Sequence, residues 1–364
     1  MADLLNKLNS ANYITVKTTD DSLVNGNNLL AAYSLAKTKL PNGAALSTSN
    51  RLAIILPAAI YDFGTQSLIL DTQYIDIIGS TTDKNKHHIR SNISTTNKGV
   101  IKQTANDVKL YNLKIENKNT TYVTLYDSSD PASYFPDDNL NLTYIENVSF
   151  ICNHIAHFPT RFNIQYSGNF INCTGEDCLF VGILSGNFTN CTGGTGSFGV
   201  TASGKFTNCV GGYNAFAGGG TASGEFINCT GGYSSFGGNG TASGIFTSCS
   251  GGTNSFGGFS GGTAGGTFNF CNGGERSFAG WGANASGIFK FCNGENDSFG
   301  GLSTASGEFI NCIGKGNSFG GGGGAASGKF TNCAAGEDSF GGGGGSIANG
   351  KFTNCTGGKG SFNL

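Results

Sequence analysis

From Phe170 onward the chain repeats one phrase of inward and outward positions, S-G-x-F-x-N-C-x-G-G-x-x-S-F-G-G, followed by further glycines and Thr-Ala. In residues 201–208, strict alternation puts Ala202, Gly204 and Phe206 on one face and Thr201, Ser203, Lys205 and Thr207 on the other. That is the period-two signature of strands with one buried face. Asn208 breaks the alternation, because the next residue, Cys209, is also an inward type. Asn tolerates the left-handed conformation that a one-residue bend needs, and a stacked Asn column can hydrogen-bond along the stacking axis. Ser248, Phe270 and Phe291 take the Asn position in three successive units, where such a ladder must be interrupted.

The first Phe of each unit recurs ten times from Phe170 to Phe352, and a second Phe follows each after ten residues, from Phe180 to Phe362. The return arc to the next unit varies from 8 to 12 residues. One arc is therefore fixed and all length variation sits in one Gly-rich turn, as in a solenoid. The fold predicted is all-β, a right-handed parallel β-helix (β-solenoid). The period is not a multiple of six, which excludes a left-handed hexapeptide helix. Phe206 and Phe226, Phe216 and Phe236, and Cys209 and Cys229 are expected in three core ladders, beside an Ala column from Ala202 to Ala348.

The earlier residues are organised differently. Asn27 and Asn28 are candidate caps for a short N-terminal capping helix carrying Leu29, Tyr33, Ala36 and Leu40 at helical spacing, stopped by Pro41-Asn42-Gly43. The runs 51–64, 67–80 and 100–117 are β-rich and bounded by turn signals. The expected division is an arm and helix over 1–45, irregular β-helix coils over 46–165 with a loop insertion at 117–140, and ten regular coils over 166–364.

The order of a short helix, then IILPAAIYDFGTQSLILDTQYIDIIG, DVKLYNLKIEN and IENVSFICN, resembles the opening of the pectate-lyase-like superfamily. Phage tailspikes belong to that superfamily and begin with a helix that caps the first coil. The Gly-rich Phe-Cys coils resemble those of its phage virion proteins. Leu56-Pro57-Ala58-Ala59-Ile60-Tyr61 stands where the family usually has Pro-Pro-Gly-x-Tyr. The resemblance implies the fold and, more loosely, a structural and recognition role on a virus particle of the tail spike or fibre kind.

Composition narrows the choices. Gly makes up 61 of 364 residues and Phe 28, so the chain has a core delivered in small portions. The net charge of −2 argues against a nucleic-acid groove. No apolar stretch is long enough for membrane insertion. The opening residues lack a basic and apolar leader, so no Sec signal peptide is expected, and the protein is expected to be made in a host cytoplasm and to reside in the virion. A cysteine recurring at one place per coil, without C-x-x-C spacing, reads as a reduced core ladder, with no metal and no cofactor.

Glycan-cleaving chemistry would need neighbouring acids in one outward column. The column before the first Phe has none adjacent, and in the turn column Asn317 separates Asp297 from Asp338. Arg276 is expected to face Asp297 as an exposed ion pair worth under ~1 kcal/mol. His87, His88, His154 and His157 read as loop or coil-lining residues. The candidate ligand-binding residues are Tyr122, Tyr126, Asp127, Asp130, Tyr134 and Phe135 in the 117–140 loop, together with Trp281, the only Trp, in a variable turn. The leading function is non-enzymatic recognition of a host surface or glycan. The alternatives are an adhesive surface filament, a polysaccharide lyase or hydrolase, and an ice-binding solenoid built on the Thr/Ser columns. The sequence stops after Phe362 with no capping element, so a homo-oligomer (trimer or fibre) or another virion protein is expected over the C-terminal end.

Overall fold

The computed structural model describes residues 12–94, 99–119, 126–127, 144–152, 165–166, 168–175, 177, 180, 182–259 and 261–362. The chain forms two compact units that divide between Leu179 and Phe180. Each is a parallel β-helix.

In the first unit, β1 (Tyr13–Thr15) precedes α1 (Ser22–Ala36). There follow β2 (Leu52–Leu56), β3 (Ala59–Asp62), β4 (Leu68–Leu70), β5 (Ile75–Gly79), β6 (His87–Ser91), β7 (Ile101–Gln103), β8 (Lys109–Asn117), β9 (Tyr126–Asp127) and β10 (Tyr144–Cys152). Three parallel runs build the coils: β1-β2-β5-β8-β10, β3-β6-β8 and β4-β7-β9. Leu52, Ile54, Ile77, Leu110 and Ile145 are buried along the first run.

The capping helix begins earlier than Asn27. Asp21 is the N-cap, its carboxylate accepting from the Leu23 and Val24 amides at 2.8 and 3.3 Å. Asn27 and Asn28 lie inside the helix, and Leu40 lies beyond it, exposed. Gly26 obscured the true start, because glycine in mid-pattern reads as punctuation. Its role is contact: a Cβ there would stand 2.0 Å from the Asp62 carbonyl oxygen, so only glycine lets the helix seat on β3. Leu29, Tyr33 and Ala36 are buried as expected.

In the second unit each coil carries a three-residue strand around the first Phe and a two-residue strand, Thr-Ala in five of the coils. Both stack in parallel from coil to coil, with Phe206 beside Phe226 and Ala202 beside Ala222. Phe206, Phe226, Phe216, Phe236, Cys209 and Cys229 are all fully buried. Phe206 and Phe226 stack with ring centroids 4.9 Å apart and planes 5° apart; Phe216 and Phe236 do so at 4.8 Å and 1°. Between the two columns the rings meet edge to face, Phe206 with Phe216 at 5.8 Å and 86°. From Cys209 to Cys333 each thiol donates to a carbonyl of the preceding coil, as Cys229 Sγ to Phe206 O at 3.4 Å. Burial raises the Cys271 thiol well above its ordinary range, and neighbouring thiols add to the shift.

The expected Asn ladder is present. Asn208 Nδ2 donates to Asn190 Oδ1 at 3.1 Å and Asn332 Nδ2 to Asn311 Oδ1 at 3.1 Å. The interrupting Phe270 and Phe291 stack on each other at 4.9 Å instead. A similar bend occurs in the first unit, where Asn147 Nδ2 donates to Asn112 Oδ1 at 2.8 Å and both residues have positive φ.

The second Phe of every coil is also left-handed: Phe216 has φ 52° and Phe236 φ 53°. A left-handed L-residue costs roughly 1–2 kcal/mol. Burying the ring against copies of itself outweighs that cost. From Phe236 onward a serine precedes it, turned inward, and donates to a backbone carbonyl one coil back, as Ser235 Oγ to Gly212 O at 3.2 Å. The two Phe columns therefore respond oppositely to glycine. Phe206→Ala should cost ~3–5 kcal/mol, and Phe206→Gly about 0.5–1 kcal/mol more, since Phe206 is in extended backbone. At Phe216 the order reverses, with Phe216→Gly the more stable variant by about 1 kcal/mol because glycine carries no left-handed penalty. Denaturant unfolding of the four variants tests this.

Candidate functional site

Of the sequence candidates, Tyr122, Asp130, Tyr134 and Phe135 lie outside the described residues. Tyr126 and Asp127 form β9, in register with Ile101 and Lys102 of β7. Trp281 is described and anchors the best-formed site.

That site runs along one flank of the second unit. The position two before the second Phe is left-handed in successive coils: Asn214, Ser234, Asn254, Arg276 and Asp297 have φ of 52–57°. This conformation throws the side chains onto the flank beside the neighbouring column of Tyr213, Tyr233, Thr253 and Glu275. The coils are joined there by backbone hydrogen bonds such as Asn254 N to Glu275 O at 2.9 Å. Tyr213 and Tyr233 stack at 5.2 Å with rings 1° from parallel, both more than 40% exposed. Asn254 Nδ2 donates to the Tyr233 hydroxyl. Next along the flank, the Arg276 guanidinium lies 4.6 Å from the Trp281 ring centroid. Phe259 meets the same ring nearly edge-on at 5.8 Å and 68°. Trp281 remains 46% exposed. Its turn is pinned by Trp281 N donating to Gly258 O at 3.0 Å.

Arg276 and Asp297 are not the exposed surface pair the sequence suggested. Asp297 is buried, and the Arg276 Nε sits 3.6 Å from its carboxylate and 3.4 Å from that of Glu275. The guanidinium packs on Trp281 rather than extending into water. Asn214 Oδ1, Ser234 Oγ and Asn254 Oδ1 are buried with no hydrogen-bond partner among the described residues. The flank thus carries two aromatic platforms, Tyr233 two coil steps of ~4.8 Å before Trp281, with buried, unpartnered polar atoms beneath the surface of the Tyr213, Tyr233 and Thr253 coils. The sequence exposed Trp281 as an isolated aromatic. Its partners depend on the lengths of two variable turns and were not legible.

Several acids of the second unit are held in ion pairs. Lys205 pairs with Glu225 at 3.0 Å, Lys329 with Glu308 at 2.8 Å, and Lys315 with Glu295. Asn317 Nδ2 donates to Asp297 Oδ1 at 3.0 Å. In the first unit Arg51 spans Asp76 and Asp107, and Asp62 holds Arg90 and Lys118 at 2.8 Å each. Burial works against the Asp62 charge, but Lys118, the Gly64 amide and Arg90 outweigh it and lower the pKa. These clusters staple coils together and leave none of the named carboxylates poised as an acid–base pair.

His87 and His88 are not loop residues. They begin β6 directly after the DKNK turn and are buried. His87 contacts Asn112 O at 3.1 Å and Ser80 Oγ at 3.2 Å. A Cβ at Gly79 would come within 2.5 Å of its ring. His88 Nε2 lies 2.8 Å from Glu116. His154 and His157 lie outside the described residues. Among the described residues no cluster of three or more potential metal ligands occurs.

These features define a parallel β-helix protein with an aromatic and amide flank. No family model matches the sequence, and no curated protein matches it. Among solved structures, pectin methylesterase PemA from Erwinia chrysanthemi is similar at 11% identity, covering 90% of this chain and 79% of that chain, with a TM-score of 0.22. The architecture itself rests on the strand registers within each unit.

Burial lowers the pKa of both His87 and His88; at His88, Lys114 and Arg90 add to this and outweigh Glu116. Each is neutral in the fold and takes up a proton on unfolding. Their stabilisation is therefore full above the ordinary histidine value of 6.5 and is lost as pH falls below it. The urea midpoint of the first unit should drop between pH ~7.5 and ~5.5, and a His87→Gln/His88→Gln variant should flatten that slope.

Proposed function

We propose that the protein is a non-enzymatic recognition β-helix that binds a glycan along the Trp281 flank. The observation carrying this reading is the half-exposed Trp281, fixed by Arg276 and Phe259, with the exposed Tyr213–Tyr233 stack beginning two coils away. Rigid aromatic faces suit the apolar faces of sugar rings, and the exposed tyrosines Tyr213 and Tyr233 add hydroxyls for the sugar's own hydroxyls. Charge refines the ligand class. Glu275 and Asp297 beside Arg276 leave the flank locally negative, which favours neutral glycans over acidic ones. The engagement of the acids in ion pairs supports recognition over cleavage. A setting on a phage particle rests on the resemblance of residues 25–155 to tailspike openings. In that setting the 117–140 loop, with Tyr122, Tyr126 and Tyr134, is a second contact region.

Binding to an array of neutral oligosaccharides, followed by calorimetry on the best ligand, tests the reading. Trp281→Ala should weaken binding at least tenfold, about 1.4 kcal/mol, with the unfolding midpoint nearly unchanged. No reducing ends should appear on prolonged incubation. Cleavage of the bound glycan, or affinity indifferent to Trp281 and Tyr233, would overturn the proposal.

A further inference from the structure

The outward face of the first-Phe sheet in the second unit carries a sequence that reads the same in both axial directions. Along the column before the first Phe, the stacked residues are Lys205, Glu225, Ile245, Thr267, Ile288, Glu308 and Lys329, each in register with the next. Thr267 is the centre. The column after the first Phe is Thr207, Ile227, Thr247, Asn269, Lys290, Ile310 and Thr331, centred on Asn269 of the same strand. The bend column runs Asn208, Asn228, Ser248, Phe270, Phe291, Asn311 and Asn332, centred on Phe270. Across three columns, seven of the nine mirror-related pairs are identical.

The centre of this face is apolar and open. Phe270 is 56% exposed, and Ile245, Ile288 and Phe291 are exposed around it. These residues stand where other coils place Asn, Lys or Glu. The outer pairs Lys205–Glu225 and Glu308–Lys329 are internally neutralised.

We propose that this face binds a second copy of the chain, antiparallel, about a two-fold axis lying in the interface along the strand Thr267–Asn269. A two-fold interface requires that residue i meet j while j meets i, and a face palindromic about one strand satisfies this with a copy of itself. Ile245 then meets the partner subunit's Ile288, and Phe270 meets its own equivalent on the axis. The two mismatched pairs are size-complementary. Phe291 lies over the partner subunit's Ser248, and Lys290 over the partner subunit's Thr247, so each large side chain faces a small one. At the edges Lys205 comes opposite the partner subunit's Lys329 and Glu225 opposite the partner subunit's Glu308, each like-charged contact offset by the counter-ion one coil step of ~4.8 Å away, which keeps the association weak. Seven coils by four residues give roughly 400 Å² per copy, below the standard interface, so the association is weak and reversible.

Sedimentation velocity of the full chain from ~1 to ~200 µM should show a concentration-dependent dimer. Phe270→Asn/Phe291→Asn should remain monomeric throughout. That variant extends the Asn ladder from Asn311 through two further left-handed positions, so its thermal midpoint should hold or rise, which separates lost dimerisation from lost folding. Single exposed cysteines fix the geometry. Under mild oxidation Thr267→Cys should cross-link to itself. Ile245→Cys should cross-link to Ile288→Cys but not to itself. A chain monomeric at the highest concentration, a dimer undiminished by the Asn variant, or self-linking Ile245→Cys, as parallel packing would give, overturns the proposal.

Discussion

In the second unit the coil spacing constrains everything inside. A side chain there must fit against its own copy one strand spacing away, ~4.8 Å along the axis. Phenylalanine meets that demand with parallel rings at 4.8–4.9 Å in both columns, and the two columns lock together edge to face at nearly 90°. Cysteine, alanine and serine fill the remaining inward positions because each is small. The thiols and hydroxyls also bond to a carbonyl of the coil before. The strained backbone at the second Phe is a consequence of the same demand, since the ring can join its column only if the chain turns left-handed there.

Much of this was legible in the sequence, for a physical reason. A solenoid repeats its environment, so the invariant Phe-to-Phe interval and the Cys column appear ten times and the Asn bend seven times, and one coil's logic is checked by the rest. The second Phe's positive φ was not legible, because no propensity places a bulky aromatic in that region; only the three-dimensional corner does. The inward serines were likewise hidden, as Ser before Phe carries no alternation signal.

The first unit was less readable because nothing in it repeats. Asp21 capped a helix whose interior holds Gly26, and His87-His88 looked like a loop beside DKNK although both pack inward at the start of β6. In each case a tertiary contact, the Asp62 carbonyl against Gly26 and Gly79 against His87, decided the local outcome. The candidate flank falls between these extremes. Trp281 stood out by its rarity, whereas Arg276 meets it only through the turn around Phe278 and Phe259 only through the stacking of the preceding coil.

The interchangeability of coils has a genetic consequence. Because every coil in the second unit presents the same inward set, unequal recombination within the coding repeat could add or delete a whole coil without opening a cavity or breaking a ladder. The interior would be indifferent to the event. The outer face would not: one coil gained on either side of Thr267 would slide Ile245, Glu225 and Lys205 a step away from their mirror positions. Coil number should therefore drift freely in lineages that use only the interior, and be held fixed where the outward palindrome is under selection.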